Sequence, residues 1–413
     1  MHPRRSTLSV PAMSDTPRPP STAHAALLAT IDDRAAATEA TLRLWAEINT
    51  GSANTAGLLR LASELAHQLR ALGAVTRLVP LAEAAAPAVH ASIRPEAPLR
   101  VLLSGHFDTV YEETHRFQTC DRPAPDVLRG PGVADMKGGL LVMLEALRVL
   151  ESSSDASGIG WDVLLTPDEE TGSSASTPLL RELAPRHHLG LVFEPALPDG
   201  SIVAARMGVG TVRAVAKGRA AHAGRDFAHG RNAVVALAHL VSSAHFLNHA
   251  MRDVVVNAGS IRGGGAVNIV PDHAEAEFNL RARRPADGDE LLRRFRDAAG
   301  AVARANEVEF EITGGFSRPP LDPGRVSTEW IHAWLAGAAA LGANIAAGHS
   351  GGGSDANILA AAGLPCIDGI GVEGGDLHSS REWMRPSSLP RRAKIAALFL
   401  LRLASGEIVP PRP

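Results

Sequence analysis

Cysteine is almost missing from this sequence. Cys120 and Cys366 are the only two in 413 residues, which excludes a disulfide framework and a cysteine-based zinc site and suits a reducing, cytoplasmic setting. An excess of either charge is missing too. With 41 basic against 44 acidic residues and a formal net charge of -3, nothing favours nucleic acid or an anionic membrane as partner. No apolar run approaches the roughly 20 residues of a membrane span. The opening MHPRRSTLSVPAMSDTPRPPS lacks an apolar segment followed by a small-residue cleavage motif, so it reads as a tail rather than a signal peptide. That tail is expected to be disordered over residues 1–23, with Met13 an alternative start to Met1.

What is present is a chain too long for one compact core, and its hydrophobic rhythm changes twice. From about His24 to Leu72 apolar residues recur at helical spacing, and Gly73 offers a C-cap. VTRLVPL, LRVLLSGHFD, WDVLLTPDEE and LGLVFEP read as strands alternating with the helices GGLLVMLEALRVLES and SASTPLLRELA. This alternation predicts a mostly parallel sheet with helices on its faces. Past Met207, several strands with two helices, RNAVVALAHLVSSAHFLNHA and ADGDELLRRFRDAAGAVARAN, predict a small α+β unit. After about Ser317 the α/β character returns, so one domain is inserted in another.

The chemistry lies in five clusters, most of them where predicted strands end. His106 and Asp108 in SGHFDTV are two apart on a strand end and point the same way. His106 is a candidate metal ligand; Asp108 is either its orienting partner or a ligand itself. Asp135 in GPGVADMKGG sits among glycines that let the chain turn tightly, and its two oxygens could bridge two cations. Glu169 and Glu170 in TPDEETGS face opposite ways, which suits one ligand and one general base. Glu194 ends another apolar strand before Pro195, and His378 lies in the loop GGDLHSSREW. Two imidazoles and several carboxylates are the ligand set of a water-activating zinc pair. Two further features bear on substrate. Gly351, Gly352, Gly353 and Ser354 precede a predicted helix and expose backbone N–H groups that suit a carboxylate, without the Gly-Lys-Ser/Thr of a nucleotide loop. Arg281 offers a bidentate grip on a carboxylate.

In chain order, SGHFDTV, GPGVADMKGG, DEETGS, FEP, GRAAHAG, NIVP and GGGSDAN resemble the motifs of the M20 family of metallopeptidases, in the glutamate carboxypeptidase (carboxypeptidase G2-like) branch. The resemblance spans about residues 30–405. It implies an α/β catalytic domain with a mostly parallel sheet over 24–206 and 317–413, interrupted by an α+β, ferredoxin-like dimerisation or lid domain over 207–316. It implies two zinc ions per subunit, replaceable by cobalt or manganese. His106 and Glu194 would hold one, Glu170 and His378 the other, and Asp135 both, with a cis peptide after Asp135. Asp108 would orient His106. Glu169 would take a proton from the attacking water and pass it to the leaving amine.

The family also implies a homodimer in which His222 reaches the partner subunit's site and steadies the oxyanion. Asn268, Arg281 and the Gly351–Ser354 loop would contact substrate, with Arg281 on its free carboxylate. The implied activity is hydrolysis of a small peptide or N-acyl amino acid, glutamate-like substrates favoured. Alternatives are a deacylase of N-acetyl or N-succinyl amines and a non-catalytic amino-acid-binding homologue. His349 and the Tyr111-Glu112-Glu113 segment vary in the family and are expected to shape the acyl-side pocket.

Overall fold

The runs RVLLSGH, GWDVLLT and LGLV are apolar at most positions, a pattern that only a strand covered on both faces can bury. In the computed structural model, which describes residues 18–412, they form the parallel centre of a six-stranded sheet. Its order is Val75–Val79, Ala88–Ile93, Gly160–Thr166, Arg100–His106, Leu189–Val192, Cys366–Ile367. The first two strands run antiparallel to their neighbours, and the remaining pairs are parallel. Ala88–Ile93 was not anticipated. Its residues AVHASI give a weak apolar signal, and pairing with Gly160–Thr166 makes it a strand.

Helices Lys137–Glu151 and Ser388–Ala404 pack on each other. The first is buried along nearly its whole length. Trp45, Trp161, Trp330 and Trp334 supply the largest aromatic side chains of this core, and Trp334 lies 5.2 Å from Phe399 by ring centroid. The predicted helical stretch resolves into Thr22–Ala46 and Thr55–Ala71, and Gly73 follows the second at φ 87°. Ser21 caps the first by accepting from His24 N at 3.1 Å. The rest of the expected tail, with Met13, falls on residues 1–17, outside the described residues. Among the described residues no helix is long and apolar enough to cross a membrane.

The chain divides into two units. One takes the sequence up to Ala205, then Pro323–Ser350 and everything from Ser354; the other takes Arg206–Asp322 with Gly351–Gly353. The second unit is a four-stranded antiparallel sheet in the order Val254–Gly263, His273–Ala282, Gly208–Lys217, Glu309–Arg318. Helices Ala233–Ala250 and Pro285–Asn306 pack against it. Connection and order together are the β-α-β-β-α-β ferredoxin-like arrangement.

One buried polar cluster pins the first unit's sheet. The Asp162 carboxylate is 2% exposed and accepts from Ser92 Oγ at 2.7 Å and Arg100 Nη2 at 2.9 Å. His90 and His187 bring Nε2 atoms to 3.1 and 3.4 Å. Burial alone would raise its pKa, but hydrogen bonds with His187, His90 and Ser92, and the charge of His187, hold it well below the usual carboxylate range. A depressed folded-state pKa contributes stability above the unfolded value of about 3.9 that is lost as pH falls below it. Asp162→Asn is expected to lower stability by about 3 kcal/mol at neutral pH. Urea denaturation should also show a shallower loss of stability as pH falls below about 4 in that variant.

Candidate metal centre

Three adjacent parallel strands deliver their carboxyl ends to one edge of the sheet, each about 4.8 Å from the next. His106 ends the middle strand, Glu169 and Glu170 follow the strand on one side, and Glu194 follows the strand on the other. Asp135 precedes the helix Lys137–Glu151, and His378 sits in the loop between the short strands Gly374–Gly375 and Trp383–Met384. The Asp135–Met136 peptide is cis.

The ligand atoms form two groups that share Asp135: His106, Asp135 and Glu194, and Asp135, Glu170 and His378. His106 Nε2 lies 3.2 Å from Asp135 Oδ1 and 3.7 Å from Glu194 Oε1. His378 Nε2 lies 3.3 Å from Asp135 Oδ2 and 3.1 Å from Glu170 Oε2. Ligands about 2.0–2.1 Å from a tetrahedral zinc are about 3.3 Å apart, so both groups fit one ion each. The charges fit as well. Two carboxylates about 4 Å apart repel by about 4 kcal/mol at an effective dielectric of 20, and here three of them converge. The same carboxylates act on the two imidazoles. His378 is pushed up to about 11 by hydrogen bonds to Asp135 and Glu170. Burial would lower His106, but Asp108, Asp135, Glu194 and Glu169 raise it well above the ordinary value.

Asp108 does two jobs. His106 Nδ1 stands 3.1 Å from its carbonyl oxygen and 3.3 Å from its Oδ1, which assigns the ring proton to Nδ1 and turns Nε2 toward Asp135. The same carboxylate accepts the backbone N–H of Glu169 on Oδ1 and of Glu170 on Oδ2, both at 3.1 Å, and Ser52 Oγ at 2.7 Å. Asp108 therefore fixes where the two glutamates leave their strand. Glu169 is 7% exposed. Its charge reaches His106, yet it belongs to neither ligand group.

Close packing accounts for the glycines. A Cβ on Gly139 would sit 1.9 Å from the Phe193 carbonyl oxygen, the residue before Glu194, so only glycine lets that helix start approach that strand end. Gly132 adopts φ 72°, the left-handed region.

The family model for peptidase family M20/M25/M40 matches residues 102–402. This chain is an M20 peptidase. It is similar to carboxypeptidase G2 of Pseudomonas sp. (strain RS-16), 28% identical over 371 residues that cover 89% of each chain. Among solved structures it resembles aminopeptidase PepT of Bacillus cereus (TM-score 0.73, 20% identity, 89% and 98% of the two chains). It also resembles the M20 metallo-carboxypeptidase Sso-CP2 of Sulfolobus solfataricus (TM-score 0.71, 18% identity, 89% and 99%). As a family member it is a metallopeptidase with an α/β catalytic fold.

Of the oxyanion and substrate-contact residues expected in this M20 chain, all but Ser354 fall in its second unit. His222 is exposed on the short strand Ala221–His222, paired with Ile269, and its Nδ1 accepts from Gly224 N and Arg225 N. That places the ring proton on the outward Nε2. Asn268 is exposed, its carbonyl oxygen accepting from Ala223 N at 2.9 Å. Arg281 touches neutral oxygens, Asn279 Oδ1 at 2.9 Å and Gly351 O at 3.5 Å. Burial and the charge of Arg318 lower its pKa. Arg206 Nη1 approaches Gly352 O at 3.4 Å, and a Cβ on Gly353 would meet Arg318. Three arginines thus gather around Gly351–Gly353, of which the sequence singled out one. In the first unit Ser354 is buried, donates to Asp368 Oδ2 and accepts from Ala356 N, so its hydroxyl caps the helix Asp355–Ala361.

A cavity of about 970 Å³ opens beside Glu170, lined by Gly51, Ser52, Thr109, Glu112 and Glu113 among others. Tyr111 does not line it. That residue is buried, with its hydroxyl 2.8 Å from both Glu382 Oε2 and Ser379 O. Glu382 and Ser52 were not read from the sequence, because a single Glu inside HSSREW and a Ser between helices look like ordinary surface residues. Asp108→Ala should weaken metal binding about 10–100-fold, read by calorimetric titration. Gly139→Ala should cost about 1–3 kcal/mol of stability in chemical denaturation.

Proposed function

We propose that this M20 peptidase hydrolyses an amide bond to release an amino acid with a free α-carboxylate, glutamate-like residues favoured, using two zinc ions. His106, Asp135 and Glu194 would hold one ion, and Asp135, Glu170 and His378 the other. Bound there, the ions supply Lewis acidity that activates a water and polarises the scissile carbonyl. The observation that carries this reading is the pair of three-residue groups sharing one carboxylate.

The chain's own residues do the rest. Glu169, buried beside the ligand groups but in neither, takes a proton from the attacking water and passes it to the leaving nitrogen. Asp108 keeps His106 in the tautomer that presents Nε2. In the second unit, Arg281 has burial and a neighbouring cation against it, so an arriving carboxylate relieves both costs. Asn268 and the backbone of Gly351, Gly352 and Gly353 contact the same end of the substrate. His222, with its proton on Nε2, donates to the oxyanion in the active site of a second copy, which makes the working unit a homodimer.

Activity should appear on one class of a panel of dipeptides, folyl-type glutamates and N-acyl amino acids, and disappear with chelator. Turnover confined to N-acetyl or N-succinyl amines would replace the peptidase reading with a deacylase. Metal-free, inactive protein that still binds amino acids would replace both. Glu169→Gln should keep two metal equivalents and lose about 10²–10⁴ in kcat; near-normal kcat removes Glu169 from proton transfer.

A further inference from the structure

Glu382 lies under the metal centre and ligates nothing in it. Its carboxylate belongs to a side chain 1% exposed and is surrounded by donors. Oε1 accepts the backbone N–H of Ala134 at 2.9 Å and of Asp135 at 3.0 Å. Oε2 accepts the backbone N–H of Gly132 at 3.0 Å and faces the Tyr111 hydroxyl at 2.8 Å. Three backbone N–H groups hold the two carboxyl oxygens, and the Tyr111 hydroxyl, which has one proton to share between Glu382 Oε2 and Ser379 O, completes the ring of contacts. The backbone closes the arrangement from the other side, since Glu382 O accepts from Gly130 N at 3.2 Å.

These contacts reach both sides of the centre. Three of the four bonds clamp the loop Gly132–Asp135, whose last residue is the carboxylate common to both ligand groups. The fourth runs through Tyr111, whose hydroxyl also meets Ser379 O, the carbonyl next to His378. Three bonds to one buried anchor restrict the loop's drift, and a fraction of an ångström separates a metal-ligand distance from a hydrogen-bond distance.

We propose that Glu382 is the positioning residue of the metal centre. It sets the place of Asp135 directly and that of His378 through Tyr111, and so determines how tightly the two ions are held. This rests on the metal-centre reading above. Removing it leaves the three N–H groups without an acceptor and the ligands without a common anchor.

The test is a Co²⁺ titration of the full-length metal-free protein, followed by absorption spectroscopy and calorimetry. Wild type binding two equivalents is the control; wild type binding none overturns the metal-centre reading and this inference with it. Folded Glu382→Gln keeps the volume but turns an amide NH₂ toward at least one backbone N–H. It should bind Co²⁺ about 10–100-fold more weakly, regain kcat as Co²⁺ is raised, and show an unchanged substrate KM. Its Gly132, Ala134 and Asp135 amides should exchange faster in the metal-free state. Glu382→Asp, which retains the carboxyl group, should recover part of the affinity. Wild-type affinity and exchange in Glu382→Gln, with wild-type protein binding two equivalents, overturns the proposal alone. If Glu382→Gln does not fold, Tyr111→Phe decides. Severalfold weaker Co²⁺ binding supports the proposal, and unchanged binding overturns it.

Discussion

Mutual repulsion among buried carboxylates is the constraint on which the rest of this structure turns. Asp135, Glu170 and Glu194 converge within 3.7 Å of two imidazoles, and Asp108 and Glu169 lie just behind them. So much negative charge held out of water is tolerable only beside compensating positive charge. The raised pKa values of His106 and His378 express that demand. Metal cations would meet it, and the spacing of the ligand atoms in the two groups suits them.

The fold meets the geometric half of the problem with backbone N–H groups. Asp108 accepts those of Glu169 and Glu170, and Glu382 those of Gly132, Ala134 and Asp135. Each carboxylate behind the centre thus gathers the main chain of a neighbouring loop, so the ligating side chains hang from anchored backbone instead of from flexible turns. Apart from Glu169, the acidic residues at this site divide into candidate ligands and the carboxyl groups that hold the backbone carrying them. The sheet makes this possible, because three parallel strands end side by side and bring segments 60 or more residues apart in sequence to adjacent positions.

Much of this was legible in the sequence. The apolar runs before His106, Glu169 and Glu194 announced buried parallel strands, and their polar last residues stood out because a strand interior rejects them. The change of rhythm near Met207 marked the second unit, since its alternation of buried and exposed positions differs from the continuous runs before it. Other parts were not legible. AVHASI forms a strand only by pairing with Gly160–Thr166. Tyr111 sat in a segment expected to shape the substrate pocket, and its burial against Glu382 takes it out of the cavity's lining.

The sequence by itself determined which residues can bind metal and which runs must be buried, because both follow from side-chain chemistry and from periodicity along the chain. Tertiary structure decided how the carboxylates divide their work. Whether a carboxylate meets an imidazole, a backbone N–H or a tyrosine hydroxyl depends on what other strands and loops place beside it. Asp135 and Glu382 are alike as side chains, and only the fold makes one a shared ligand candidate and the other its anchor.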